Sequence, residues 1–216
     1  MKTTAVIPIK LQNERLPGKN TKLLGDKPLI HYIQESLLAS DGIDEIYTYC
    51  SNPEITEYLL SGVRFLKRDE ILDLPTSNFT QIFSSFMSDV DSDIYVYAHA
   101  TAPFVTVHTI NECISVVKSG QNDSAFCSVK IQDYLWQDNK PLNFDACNLP
   151  RSQDIKPIYR ETSGVYVFTK EVFQKYKRRI GENPYIKEVS FRESVDINNP
   201  EDFALAEVML NVKEGK

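Results

Sequence analysis

Short apolar runs alternate with amphipathic helical patterns along most of the chain. Runs typical of buried strands occupy 4–9, 42–50, 63–68, 93–100, 124–130 and 164–170, with a late strand region at 185–195. Helical patterns occupy 28–40, 52–62, 75–90, 107–118, 171–180 and 199–212. This alternation predicts an α/β fold with a mainly parallel sheet and helices on both faces.

One segment, 130–158, interrupts the alternation. It alternates only weakly and carries three prolines, Pro141, Pro150 and Pro157, together with the only tryptophan, Trp136. An extended excursion with exposed aromatic side chains is poorly covered on its own, and such surfaces favour burial against a partner subunit. We therefore expect a single domain over 1–216 with a hairpin or arm at 130–158 that forms a homodimer.

Composition narrows the class of protein. The 216 residues are 42% hydrophobic, and no apolar run approaches the ~20 residues of a membrane span. A net charge of −6 argues against nucleic-acid binding. The four cysteines (Cys50, Cys113, Cys127, Cys147) lack CxxC spacing, so we expect buried free thiols and no zinc site. No signal peptide is recognisable, and we expect a soluble, cytoplasmic protein.

The loop after the first predicted strand, Pro8 to Asn20, reads PIKLQNERLPGKN. It holds Lys10, Arg15 and Lys19 at the end of a strand, where open α/β sheets place their ligand crevice. Backbone N–H groups and three cations suit a polyphosphate. The spacing matches neither GxxxxGK[ST] nor GxGxxG, so the loop is a phosphate site of neither common type.

The same loop resembles that of the cytidylyltransferases that activate acidic sugars. RLPGKN after IP is similar to IPARGGSKGIPGKN of CMP-sialic acid synthetases and to IPARYASTRLPGK of CMP-Kdo synthetases. Further along, FLKRDEIL resembles an Arg-Pro-Glu segment, LPRSQDIKPIYRETSGVYVF resembles RRQD…YRENGAIYIF, and VDINNPEDFALAE resembles DIDTPEDFELAE. The resemblance covers nearly the whole chain in order.

This resemblance implies a three-layer, Rossmann-like nucleotidyltransferase fold of the GT-A type and transfer of CMP from CTP to an acidic sugar. The implied catalytic residues are Lys19, Arg15 and Asp196, with Mg²⁺ held by Asp196 and Asn198. The implied nucleotide site comprises Pro8, Ile9, Lys10, Gly18, Lys19, Asn20, Arg68 and Ser77. The implied acid-sugar site comprises His99, Thr101, Arg151, Gln153 and Arg160.

Four departures from the family pattern occur. Ile9-Lys10 stand for Ala-Arg, Leu11-Gln12-Asn13 for Gly-Gly-Ser, Asn198 for a second aspartate, and His99 for a glutamine. His99 follows a predicted central strand, where it could bind a carboxylate, accept a hydroxyl proton or be a structural histidine.

The leading interpretation is an enzyme of the nonulosonate branch. CMP-Kdo synthetase, or a cytidylyltransferase for another anionic acceptor, is the alternative enzyme. A nucleotide-binding or glycosyltransferase-like protein without synthetase activity is the alternative class, because Asn198 and the altered loop depart from the pattern.

Overall fold

The computed structural model describes residues 1–212 and contains eleven strands and five α-helices in that range. The strands are β1 (Thr3–Ile9), β2 (Leu23–Leu24), β3 (Lys27–Pro28), β4 (Glu45–Cys50), β5 (Val63–Lys67), β6 (Ile94–Ala98), β7 (Ser124–Ile131), β8 (Trp136–Gln137), β9 (Lys140–Pro141), β10 (Ile158–Thr169) and β11 (Pro184–Glu188). The helices are α1 (Leu29–Leu38), α2 (Phe79–Asp89), α3 (Val107–Lys118), α4 (Lys170–Tyr176) and α5 (Pro200–Asn211).

Seven strands form the central sheet in the order β11-β7-β10-β6-β1-β4-β5. Strand β10 is antiparallel to both of its neighbours, and the other four pairings are parallel. The expected α/β fold with a mainly parallel sheet is therefore confirmed. The four strands on one side of β10 share a direction, so the loops that leave β1, β4, β5 and β6 emerge at one edge.

Alternate residues of each strand pack against different helices. Ala5, Ile7 and Ile9 of β1 lie in one core with α1 and α3, while Val6 lies in a second core with Phe83 and Phe86 of α2. The second core is rich in aromatic rings, including Tyr95, Tyr166, Phe168 and Phe173 of the strands and α4. The period-2 pattern thus builds a helix–sheet–helix sandwich.

Three sequence-based expectations about the elements need correction. The helix expected at 52–62 is a short 3₁₀ helix, Pro53–Tyr58. Buried Gln34 accepts from Leu60 N–H at 2.9 Å and donates to the Tyr58 carbonyl at 3.3 Å, so tertiary bonds replace helical ones. The helix expected at 171–180 ends at Tyr176 because Lys177 has a left-handed backbone, and the strand region 185–195 is only Pro184–Glu188.

Between the end of β7 and the start of β10, segment 130–158 contains a small hairpin outside the central sheet. Strands β8 and β9 pair with each other, and Trp136 is 58% exposed. Cys147 in this segment is also exposed, contrary to the expected burial of all four thiols, while Cys50, Cys113 and Cys127 are buried and free. Among residues 1–212, no helix has both the length and the hydropathy needed to cross a membrane.

Candidate active site

Three cavities that share Lys10 open at the edge where β1, β4, β5 and β6 end. The large cleft, of about 520 Å³, is lined by Lys10, Ser51, Glu70 and Asp73. The medium cleft, of about 300 Å³, is lined by Arg68, Ser77, Tyr97 and His99, and the small cavity, of about 150 Å³, by Asn13, Lys19, Asn20 and His99. Lys10 lines all three cavities, so they form one continuous crevice along the sheet edge.

Lys19 is a buried cation at the small cavity of the crevice. Gly18 has φ +64°, a left-handed conformation that glycine adopts without strain, and it starts the 3₁₀ turn Lys19–Thr21. The turn buries Lys19 to 7% exposure, and its Nζ donates to the Ile197 carbonyl at 2.7 Å. Burial lowers the pKa of Lys19, a shift that the carboxylate of Asp196 opposes and the charge of Arg15 reinforces.

A chain of polar contacts links Lys19 to the segment before α5. Thr101 Oγ1 donates to Asp196 Oδ1, and Asn198 Nδ2 donates to Asp196 Oδ2 at 2.8 Å. Arg15 Nη2 in turn donates to Asn198 Oδ1 at 3.1 Å. Because the Ile197 N–H also donates to the Thr101 carbonyl at 2.8 Å, this segment is fixed against the end of β6.

The donor set around Asp196 suits a magnesium ion that takes most of its ligands from elsewhere. No group of three His, Cys, Asp or Glu side chains able to hold a metal occurs in the part of the chain described. Mg²⁺ binds through one or two carboxylates plus substrate phosphates and water, and Asp196 supplies one such carboxylate. The Asn198 amide oxygen accepts from Arg15, and the amide nitrogen faces Asp196, so Asn198 does not offer its oxygen to a metal ion at Asp196.

Arg68 anchors the opposite end of the crevice. It is 4% exposed, and its Nε donates to Asp73 Oδ1 at 3.0 Å in an ion pair, while Ser51 Oγ donates to the other oxygen of that carboxylate. Lys10 Nζ donates to the Asp73 carbonyl at 3.3 Å. Asp73 therefore ties the loops after β1, β4 and β5 into one wall.

His99 lies where the small cavity meets the medium cleft. Its ring centroid is 5.2 Å from Tyr97 and 6.1 Å from Tyr166. Burial lowers the pKa of His99 to about 4; the charges of Arg179 and Lys19 act in the same direction and Asp196 opposes them. The imidazole is therefore neutral at pH 7 and cannot bind a carboxylate as a cation.

The structure brings most of the expected site residues to this crevice. Pro8, Lys10, Lys19, Asn20, Arg68, Ser77, His99 and Thr101 line the cavities, and Arg15, Asp196 and Asn198 are joined to them by hydrogen bonds. Gly18 supplies the turn before Lys19. Ile9 is 2% exposed and packs in the core, so only its backbone can face a ligand.

Three residues expected at the acid-sugar site lie outside the crevice in the structure. Arg151 is exposed and donates to Asp154 of its own turn at 2.8 Å, and the Gln153 carbonyl accepts from Gln132. Arg160 is exposed on β10. None of the three lines the small cavity or the two clefts formed by the described residues.

Sequence reasoning did not identify Asp73 and Asn13 as residues of the crevice. No sequence motif marks Asp73. Its role follows from its contacts with Ser51, which follows β4, and with Arg68, which follows β5. Asn13 lines the small cavity, and the loss of the Gly-Gly-Ser pattern at 11–13 was the signal that could have identified it.

A third missed residue, Arg179, lies beside the crevice in a basic run after α4. Its guanidinium stacks 3.6 Å above the Tyr166 ring and donates to the Tyr166 hydroxyl at 2.9 Å and to Glu161 at 3.2 Å. A basic run such as 177–179 at the end of a helix is stabilised by the helix dipole, which by itself indicates no functional role. The structure, however, gives Arg179 specific partners near His99.

Known proteins resemble this chain in sequence. A family model described as Cytidylyltransferase matches residues 4–214. The chain is 26% identical to the CMP-N,N'-diacetyllegionaminic acid synthase of Legionella pneumophila, covering 99% of this chain and 98% of the relative. It is 23% identical to the N-acylneuraminate cytidylyltransferase A of Danio rerio over 94% of this chain, but it spans about half of that relative, 50%.

A solved structure shares the fold. CMP:2-keto-3-deoxy-manno-octonic acid synthetase complexed with CTP superposes with a TM-score of 0.73 over 98% of this chain and 99% of that chain, at 16% identity. The same arrangement of sheet and helices therefore occurs in a protein whose nucleotide is known. Because the family model matches nearly its whole length, the chain belongs to the cytidylyltransferase family and is a nucleotidyltransferase.

Proposed function

We propose that this protein transfers CMP from CTP to an acidic sugar of the nonulosonate type and releases pyrophosphate. The observation that carries the proposal is the crevice itself, where buried Lys19 lies within one hydrogen-bond network with Arg15 and Asp196. The relatives named for legionaminic and neuraminic acids support the choice of acceptor.

In this reaction an acceptor hydroxyl oxygen attacks the α-phosphorus of CTP. A new O–P bond forms, the bond from the α-phosphorus to the bridging oxygen breaks, pyrophosphate leaves with the electron pair, and the hydroxyl proton passes to water. Such chemistry depends on positioning and on neutralising phosphate charge. We assign that neutralisation to Lys19, Arg15 and Lys10, and we assign the nucleotide base to the clefts lined by Arg68 and Ser77.

A Mg²⁺ ion at Asp196 would add charge neutralisation on the phosphate oxygens. The protein's own part is to hold the Asp196 carboxylate in place, which Thr101 and Asn198 do by donating one hydrogen bond to each of its oxygens. Arg15 orients the Asn198 amide through its oxygen.

Release of pyrophosphate tests this function. The protein with CTP and Mg²⁺ is assayed against N,N'-diacetyllegionaminic acid, N-acetylneuraminic acid, pseudaminic acid and 3-deoxy-manno-octulosonate, with UTP and ATP in place of CTP as controls. We expect CTP-dependent release with at least one of the first three acids. Release with the octulosonate alone would favour the alternative enzyme, and no release with any acid would contradict the proposal.

Binding of the nucleotide separates an inactive nucleotide-binding protein from an enzyme. A ligand that binds only the native state raises its melting temperature. Stabilisation by CTP with Mg²⁺, without pyrophosphate release from any acid, would support a nucleotide-binding protein without synthetase activity.

A further inference from the structure

The small cavity contains an unusual concentration of buried polar atoms without protein partners. Among residues 1–212, six buried side-chain polar atoms lack a hydrogen bond; three of them are threonine hydroxyls in strands, and the other three are Asn13 Oδ1, Asn20 Oδ1 and His99 Nε2. All three of the latter residues line the small cavity. Native proteins satisfy nearly all such groups, so a concentration in one cavity calls for a ligand.

The chemistry of these atoms limits what the ligand can offer. Asn20 is oriented by its own network, because its Nδ2 donates to the Lys10 carbonyl at 3.2 Å and leaves Oδ1 facing the cavity as an acceptor. Amide oxygens accept hydrogen bonds from O–H or N–H donors, or they coordinate cations. Lys10 and Lys19 line the same cavity, and their positive charges disfavour a cation there. Uncharged O–H or N–H donors of a ligand therefore match the two amide oxygens.

His99 agrees with an uncharged partner. Because burial keeps the imidazole neutral, Nε2 offers one hydrogen bond, as a donor or as an acceptor according to its tautomer. A hydroxyl can serve either tautomer, since it both donates and accepts.

Two departures from the resembled loop and strand meet in this cavity. Asn13 stands where the family pattern has serine, and His99 stands where it has glutamine. These positions are far apart in the sequence, yet both side chains face the same ~150 Å³ space beside Lys19. A paired change at one cavity points to a difference in what the cavity recognises.

We propose that Asn13 and His99 together bind a hydroxyl group of the substrate in the small cavity and thereby set substrate selectivity. This inference rests on the proposed function for the identity of the substrates. The hydroxyl can come from the ribose of CTP or from the acidic sugar, and the experiment distinguishes the two.

Direct binding measurements test the proposal without requiring turnover. Calorimetry with Asn13→Ala, His99→Asn and the double variant measures affinity for CTP, for 2′-deoxy- and 3′-deoxy-CTP, and for each of the four sugar acids. His99→Asn removes the Nε2 position and keeps a polar group near the ring's other nitrogen. Asn211→Ala on α5 and His108→Asn on α3 are matched controls on exposed positions. Asn13→Ser replaces Asn13→Ala if the latter fails to fold.

We expect each single variant to weaken one ligand by roughly ten-fold, the cost of one lost hydrogen bond. A loss confined to CTP, and absent with one of its deoxy forms, assigns the ribose; a loss confined to a sugar acid assigns the acceptor. The double variant should lose less than the product of the singles, because the two residues share one group. Affinities for CTP and for all four acids within two-fold of the wild type would overturn the proposal.

Failure of the proposed function would look different. In that case the wild type releases no pyrophosphate, while the effect of Asn13→Ala on CTP affinity still reports on the cavity.

Discussion

Lys19 illustrates how one residue can be buried and still serve as a cation. Its ammonium donates to the Ile197 carbonyl, 178 positions away along the chain, and lies in the field of the Asp196 carboxylate. Burial favours the neutral form, whereas the carboxylate favours the charged form. An incoming phosphate adds negative charge on the same side as Asp196, so nucleotide binding should hold the ammonium in its charged form.

Replacing Lys19 by alanine should therefore remove more than nine-tenths of the activity, a loss of at least ~1.4 kcal/mol of transition-state stabilisation. The measurement is kcat/KM for pyrophosphate release with CTP and the acid that the wild type accepts. Lys22→Ala is the matched control, because Lys22 is exposed and lies over the Phe203 ring outside the crevice. A Lys19→Ala enzyme that keeps more than a tenth of the wild-type rate would show that Lys19 has no such role.

At this scale, sequence reasoning located the cations but not their partners. Gly18, Lys19 and Asn20 were recognised because a resemblance spans the second half of the loop without gaps. Asp73 was not, because what makes it important is contact with Ser51 and Arg68 at the ends of two other strands, and no local pattern encodes that contact.

Helix α5 acts as the support for Asp196. Asn199 caps the helix by accepting from the Asp202 N–H at 2.9 Å, and Asp202 Oδ2 accepts from the N–H groups of Asn198 and Asn199 at 2.8 and 3.2 Å. The first two turns then pack Phe203 and Ala206 against Ile197 in a third core cluster. The cap thus fixes the backbone on which the candidate metal ligand stands, without touching a substrate itself.

Asp202→Ala should destabilise the protein by about 1 to 2 kcal/mol, because it removes the two hydrogen bonds that the Asp202 carboxylate accepts at a helix N-terminus. Denaturant unfolding measures this change. The same variant should also reduce pyrophosphate release, since Asp196 loses its fixed position. Glu201→Ala removes the neighbouring acid of the first turn, which makes none of these capping bonds. Equal stability of the two variants would contradict the role assigned to the cap.

Elements with a clear period were predicted well, and those shaped by tertiary bonds were not. Helix α1 buries Leu29, Ile30, Ile33 and Leu37 as its spacing indicates. By contrast, the segment Pro53–Tyr58 has good helix signals at both ends, yet Gln34 takes its backbone groups. The antiparallel course of β10 could not be read from its composition either, because a buried strand looks the same in both directions.

The whole molecule explains why a crevice forms where it does. Strands β6 and β1 are adjacent in the centre of the sheet. The chain continues from β1 to β4 on one side of the pair and from β6 to β7 on the other side, so the strand order reverses between them. Ligands of open α/β sheets bind where the chain diverges in this way at the carboxyl ends of the strands. From the sequence, the ligand crevice was expected at the end of the first strand, because the basic loop 8–20 follows that strand.

The hairpin within 130–158 leaves several large apolar side chains poorly covered by its own chain. Four large apolar side chains of this segment are exposed: Tyr134 (39%), Trp136 (58%), Leu142 (51%) and Leu149 (64%). Phe144 packs against the Tyr134 and Trp136 rings, at centroid distances of 5.0 and 5.5 Å. A two-stranded hairpin is marginal in water by itself. Apolar surface of this kind is stabilised by burial against another surface, and a second copy of the chain offers the same one.

We therefore predict a homodimer whose contact includes this hairpin. Sedimentation or light scattering should give twice the mass of 24.7 kDa, and Trp136→Glu should give a monomer, because it would bury an unpaired charge in the contact. Phe191→Glu is the matched control, since Phe191 is 64% exposed and lies outside the hairpin. A monomeric wild type would refute the prediction, and a Trp136→Glu protein that stays dimeric would show that the copies meet through another surface.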